Sequence, residues 1–277
     1  MRCLTKEINF RGETATLSMF LIDPLSIAPN RIRPMILICP GGAYAYTSER
    51  EAEPVAQKFL GMGYHTAILY YTCNPGAARK EAEFPAALVQ TALSVAFLRE
   101  NSKEYHIDPE RIILAGFSAG GHVALSLGVF WNRDFLKDLT NAEPRSCRPD
   151  ALLLSYPVVT SGAFTHEESI HNLLGSRAED AHWREFVSLE KQVSGDVPPT
   201  FLWTTGGDEG VPAENSLELA LALRRFHVPT ELHLYRRGPH GLSLANADVC
   251  PEAATVSSPY AEVRGWTELA DTWLKTL

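Results

Sequence analysis

The sequence predicts an α/β fold, a mostly parallel central sheet with helices on both faces. Two observations carry that prediction. Short apolar runs recur along the chain, and most are continuous rather than alternating, as strands buried on both faces are. Stretches with helical spacing stand between them, and strand and helix in alternation signal a sheet wound on both sides. The runs fall at 35–39, 66–71, 111–115, 151–156, 201–205 and 231–235, each bounded by Gly, Pro or polar residues. Two earlier segments, 8–10 and 15–23, alternate better and suit an antiparallel start.

The helix candidates follow in order. Ser48-Glu49-Arg50-Glu51 has capping-box spacing, with Gly61 and Gly63 as an end signal. The stretch 84–102 carries Val89, Leu93, Ala96 and Phe97 at helical intervals. A further helix is expected over 119–130. Pro212 suits the first turn of a helix over 212–226, and 266–277 closes the chain. Segment 161–197 breaks the rhythm. It is polar and rich in histidine, and reads as a cap-like insertion above the C-terminal edge of the sheet. Without repeats or low-complexity stretches, residues 1–277 are expected to form one domain.

Of 277 residues, 45% are hydrophobic and 21% charged, enough apolar material for a large core. The net charge of -8 argues against a partner with a phosphate backbone, so no nucleic acid is expected. Five cysteines, Cys3, Cys39, Cys73, Cys147 and Cys250, form no CxxC pair. Their odd number favours a reducing compartment, and Cys39 reads as a small buried hydrophobe. The first residues lack a basic stretch followed by an apolar core, and no apolar run approaches 18 residues. A cytoplasmic protein outside the membrane is the expectation.

Gly116-Phe117-Ser118-Ala119-Gly120 matches G-x-S-x-G. The bare pattern is common by chance. Here an apolar strand precedes it and a helix follows, which is the context the pattern requires. A sharp strand-to-helix turn lifts the Ser118 hydroxyl to the tip of the sheet, and small flanking residues let other chain segments pass close by. The same turn leaves the Ala119 N–H at a helix N-terminus, where it can stabilise an oxyanion.

Pro40-Gly41-Gly42-Ala43-Tyr44 follows an apolar strand. Alone it reads equally well as a plain strand-to-loop turn. Beside the elbow it reads as an HGGG-type loop, with Pro40 in place of the histidine and Ala43 in place of the last glycine. The expected oxyanion donors are the N–H groups of Gly42, Ala43 and Ala119.

A serine nucleophile needs a base and an acid to orient it. Asp208 stands after the run 201–205 and two glycines, with Glu209 as the second choice. His240 sits between turn residues after the run 231–235, on a loop able to swing its ring over Ser118. The other histidines have plainer readings. His65, His227 and His233 lie near element boundaries, His122 beneath the elbow, and His106 in a turn. His166, His171 and His182 fall in the insertion without the spacing of a metal pair.

With these pieces in order, the chain resembles the α/β-hydrolase esterases. It is most similar to the acetyl-esterase branch related to acetylxylan and feruloyl esterases. The likeness runs from Ile36 to about Leu244 and includes Ile107-Asp108-Pro109-Glu110-Arg111-Ile112, Ser155-Tyr156-Pro157-Val158 and the run from Asp208 to Ser216. The resemblance implies an α/β-hydrolase fold and hydrolysis of short acyl esters. O-acetyl groups on carbohydrates are the implied substrates, cleaved through an acyl-enzyme on Ser118. His240 would be general base and Asp208 the orienting acid, with neither metal nor organic cofactor. Tyr44, Phe117 and Tyr156 are the expected substrate contacts, and the His166/His171 region is a further source of hydrogen bonds unless it is a solvated loop. The partner implied is a small ester, with a homo-oligomer left open. A peptidase, thioesterase or lactonase on the same three residues is an alternative, as is a non-catalytic ligand-binding hydrolase fold.

Overall fold

The computed structural model describes residues 1–250 and 260–277. Eight strands form one sheet: β1 (Arg2–Phe10), β2 (Glu13–Leu21), β3 (Arg33–Cys39), β4 (His65–Tyr70), β5 (Ile107–Phe117), β6 (Ala151–Ser155), β7 (Thr200–Thr205) and β8 (Thr230–Tyr235). Their spatial order is β1-β2-β4-β3-β5-β6-β7-β8. The pairs β1–β2 and β2–β4 are antiparallel, and every pair from β4–β3 onward is parallel. All the strands expected from apolar runs are present, and the alternating pair at the start is indeed antiparallel. Arg11 and Gly12 join β1 to β2 with φ of 51° and 86°. Two residues at positive φ match the right-handed twist of a tight hairpin.

Ten helices accompany the sheet among the described residues. They are α1 (Glu53–Gly61), α2 (Ala86–Glu100), α3 (Ser102–Tyr105), α4 (Ala119–Phe130), α5 (Asp134–Thr140), α6 (Pro144–Cys147), α7 (Glu167–Leu174), α8 (Ala181–Val187), α9 (Glu214–Arg225) and α10 (Trp266–Leu274). The central strands send alternate side chains to opposite faces, so the sheet has two cores. Leu37 and Leu114 join Val89, Val123 and Leu219 on the face covered by α2, α4 and α9. Ile36, Ile38 and Ile113 join Phe59 and Trp266 on the face covered by α1 and α10. Every residue of α4 is buried. It is apolar nearly all round, as a central helix must be.

Two local expectations change. The capping-box spacing at 48–51 does not start a long helix. Glu49–Glu51 is one 3-10 turn, and α1 begins at Glu53 with a proline in its first turn. The reason is that the Glu51 side chain points into the protein instead of back to the Ser48 N–H. Segment 161–197, expected to be polar and irregular, contains α7 and α8. Ile170, Leu173, Leu174, Val187 and Leu189 from it are buried in the first core. Phe186 stacks on Phe130 with centroids 5.0 Å apart. Ser169, Asn172 and Ser188 of the segment are buried beside these apolar residues, and that mixture masked the apolar stripe in so short a helix.

All five cysteines are free. Burial pushes the Cys39 thiol up to about 12, which suits a packing role. No helix among the described residues is long and apolar enough to cross a membrane.

Two histidines belong to the framework. His65 accepts the Ile22 N–H at 3.0 Å. His122 on α4 bridges Tyr44 and the carbonyl of Val187. Burial, the leading cause for each, lowers both from 6.5 to about 4. In the unfolded chain they bind protons near pH 6.5, but in the folded chain only near pH 4. Stability from these groups is therefore intact above about pH 6.5 and falls as the pH drops through that window. For a fully buried ring such as His122 the loss by pH 4 is on the order of 3 kcal/mol. Urea midpoints measured between pH 7.5 and 4.5 should fall steadily below pH 6.5, and a flat profile would contradict this account.

Candidate active site

Ser118 occupies the junction between β5 and α4, with φ 52° and ψ −122°. This backbone is costly for a residue with a Cβ, by about 1–3 kcal/mol. The surroundings hold it. The Ser118 N–H donates to the carbonyl of Ser155 at 3.0 Å, and its own carbonyl accepts from Val158 N–H at 3.0 Å and His122 N–H at 3.2 Å. The flanking glycines are required by close approach. A Cβ at Gly120 would lie 2.1 Å from the Cys39 carbonyl oxygen and 2.3 Å from that of Pro40. At Gly116 it would lie 2.4 Å from the Gly120 carbonyl oxygen.

The structure brings Ser118, His240 and Asp208 together. The His240 Nε2 lies 2.7 Å from the Ser118 Oγ, and its Nδ1 lies 2.7 Å from the Asp208 Oδ2. The other oxygen of Asp208 accepts the N–H groups of Gly210 and Val211 at 3.0 and 2.8 Å. Asp208 is buried and Glu209 is exposed, so the sequence preference for Asp208 has a structural basis. The loop bearing His240 is tied to the end of β7, where the Thr205 hydroxyl donates to the Gly238 carbonyl at 2.6 Å. An aspartate on one ring nitrogen fixes the proton there and leaves the other nitrogen free to accept from the serine.

The loop after β3 lies alongside. Gly42 has φ of 120°, and Ala43 and Tyr44 have φ of 54° and 57°. Among the described residues, no group accepts from the N–H of Gly42, Ala43 or Ala119. Gly42, Ala43, Ser118 and His240 line a common cavity of about 190 Å³ with Tyr46 and His166. A larger hollow of about 920 Å³, around Phe84, Trp183 and Phe186, includes none of the three relay residues. His171, expected with His166 near the site, is exposed and does not line the cavity.

The loop is held by a residue that motif reading missed. Glu51 is only 3% exposed. Its Oε2 accepts the Gly41 N–H at 2.8 Å and its Oε1 accepts the Tyr156 hydroxyl at 2.6 Å. Tyr156 in turn accepts the Ser243 N–H at 3.0 Å. Glu51 thereby ties the loop after β3 to the segment that follows His240. Its only sequence signal was a carboxylate at the spacing of an ordinary helix start.

The three expected substrate contacts are corrected. Tyr44, Phe117 and Tyr156 are 4%, 1% and 1% exposed. The His122 Nε2 donates to the Val187 carbonyl, so its Nδ1 accepts the Tyr44 hydroxyl at 2.8 Å. Phe117 packs edge-on against Tyr156 and Trp266. Tyr156 supports the His240 ring from beneath, with centroids 5.1 Å apart. These side chains point into the protein because the elbow and the left-handed turns reverse the chain within one residue. Adjacency to a motif therefore does not place them in the cleft.

The sheet order, the elbow between β5 and α4, and the acid and histidine after β7 and β8 define an α/β-hydrolase fold. The chain belongs to the BD-FAE family, whose profile matches residues 26–223. It is 40% identical over 216 residues to endo-1,4-beta-xylanase B of Butyrivibrio fibrisolvens, covering 77% of this chain and 33% of that protein. The structure resembles an acetyl ester-xyloside bifunctional hydrolase from Caldicellulosiruptor lactoaceticus, with TM-score 0.78 and 33% identity over 95% of this chain and 88% of that one. It also resembles a carboxylesterase from Lactobacillus plantarum, with TM-score 0.85 and 29% identity over 100% and 98% of the two chains. The chain spans between 33% and 47% of the length of the curated relatives it matches.

Glu51→Gln tests the tie between loop and core. An amide has one accepting oxygen, so either the Gly41 N–H or the Tyr156 hydroxyl loses its partner in a buried place. The expected loss of stability is about 1–3 kcal/mol, read from urea unfolding at neutral pH. An unchanged midpoint would show that Glu51 holds nothing.

Proposed function

We propose that the protein is a serine carboxylesterase acting on short-chain acyl esters, with O-acetyl groups on carbohydrates as its preferred class. The single observation that carries the reading is the relay from Asp208 through His240 to a serine on a strained turn, at two distances of 2.7 Å. The N–H groups of Gly42 and Ala43, which line the cavity with Ser118, and that of Ala119, next to Ser118 in the chain, would supply the complementary electrostatics. Family membership supports the same reading, as do the names of the relatives, which include esterases and a xylan-related hydrolase.

In the proposed reaction the Ser118 Oγ attacks the carbonyl carbon while the His240 Nε2 takes its proton. Charge develops on the carbonyl oxygen, where the N–H groups of Gly42, Ala43 and Ala119 are the candidate donors. Such donors are effective because they are fixed before the charge appears. The intermediate collapses, the bond to the alcohol oxygen breaks, and that oxygen takes the proton from His240. A water then repeats the sequence on the acyl-enzyme and releases the acid. Asp208 keeps the proton on His240 Nδ1 and stabilises the imidazolium without itself being protonated.

The preference for short acyl groups rests on the small cavity above Ser118. Each methylene that fits an apolar tunnel adds about 0.8 kcal/mol of binding, so a lipase-like site would speed up with chain length. Here kcat/KM is expected to fall from acetyl through butyryl to octanoyl esters of one alcohol. A maximum at octanoyl or beyond would overturn the short-chain claim and leave the esterase claim standing.

Ser118→Ala and His240→Ala should each lower kcat by roughly 10⁴–10⁶, with Asp208→Asn about tenfold to a hundredfold less severe. The double variant Ser118→Ala/His240→Ala should be no worse than either single one, because the groups act as a unit. Hydrolysis of p-nitrophenyl acetate measures all four. Retained activity in Ser118→Ala would remove the serine mechanism.

A further inference from the structure

Helix α7 opens on a cap of uncommon type. His166 is its N-cap residue, and its Nδ1 accepts the Ser169 N–H at 3.3 Å and lies 2.8 Å from the Ser169 hydroxyl. Ser, Thr, Asp and Asn ordinarily fill this place. The cap has a consequence for the ring. A backbone N–H can only donate, so Nδ1 must be the bare nitrogen and the proton of the neutral ring sits on Nε2. Burial, followed by the nearby His240, holds His166 below its usual value, so the neutral form prevails. Among the described residues, no group accepts from that Nε2–H. The ring lines the cavity that contains Ser118 and His240.

The position also selects a side of the substrate. His240 must hand its proton to the departing oxygen, so the alcohol portion leaves along His240. Tyr156 supports the His240 ring from within the protein. His166 and His240 line the same cavity beside Ser118. A neutral donor there can bind an oxygen without placing a second positive charge beside the imidazolium. A better N-cap residue would be too short to reach the cleft. Departures from local preference of this kind are expected at functional sites.

We propose that His166 is a specificity-determining residue whose Nε2–H donates a hydrogen bond to a hydroxyl oxygen of the leaving alcohol, next to the scissile ester. The inference rests on the esterase reading and adds to it the group that recognises a hydroxylated alcohol.

The test compares wild type, His166→Asn and His166→Ala on p-nitrophenyl acetate and on a monoacetylated methyl pyranoside. Asparagine keeps a capping oxygen for the Ser169 N–H but cannot reach the cleft, whereas alanine loses both. The ratio of kcat/KM for the pyranoside ester to that for the aryl ester should fall about tenfold in both variants, the scale of one lost hydrogen bond. A ratio in His166→Asn equal to wild type would reduce His166 to a cap and overturn the proposal, as would a ratio unchanged in both variants. Wild-type hydrolysis of the aryl ester alone would overturn it while sparing the esterase reading. Hydrolysis of neither ester by wild type would sink both.

Discussion

The close passage of two chain segments at Gly120, the start of α4 and the end of β3, is the constraint on which the rest depends. A side chain there would collide with the carbonyls of Cys39 and Pro40. Because it is absent, α4 can start directly against the end of β3, and Ser118 is held at positive φ between β5 and α4. The strain on Ser118 is local, but what sustains it is distributed: the parallel pairing of β3, β5 and β6, and backbone bonds to Ser155 and Val158. Strain of this size persists only where neighbours over-determine the backbone. A buried helix and three strands provide that.

The same junction places two more devices. The first is the Asp208–His240 pair, carried on loops after β7 and β8 that are bonded to each other through Thr205 and Gly238. The second is the buried carboxylate of Glu51, which holds Gly41 on one side and Tyr156 on the other. Both carboxylates have fixed protein partners. A polar group removed from water is stabilised only when such partners are present, and once they are present it specifies one geometry. His122 completes the frame from the opposite side. It joins the elbow helix to Tyr44 and to the Val187 carbonyl near the end of α8. The inserted segment is thereby locked to the floor of the cleft and is more than a cover over it.

How much of this was legible depended on whether the information was local. The G-x-S-x-G turn and the glycines after β3 are short-range patterns in which residue type answers to backbone need. They could be read one segment at a time. The strands were legible for the same reason, since burial on both faces demands continuous apolar runs. Glu51, by contrast, showed a spacing that fits a helix cap. The competing demand of the Gly41 N–H and the Tyr156 hydroxyl, 105 residues away in sequence from Glu51, overrode it.

The sequence alone determined the fold class and the strand-to-helix turn at Ser118, and it named Ser118, Asp208 and His240 as candidates. Burial on both faces restricted the strands to continuous apolar runs, and close approach restricted the turn to small residues. Only the tertiary structure decided which way the neighbouring side chains point. Tyr44, Phe117 and Tyr156 stand next to the motifs yet turn inward, where His122, Trp266 and Glu51 receive them. His166, from a segment that looked like a solvated loop, turns toward the cleft. Side-chain direction at a reversing chain is set by packing and hydrogen bonding among segments far apart in sequence, and no local pattern encodes it.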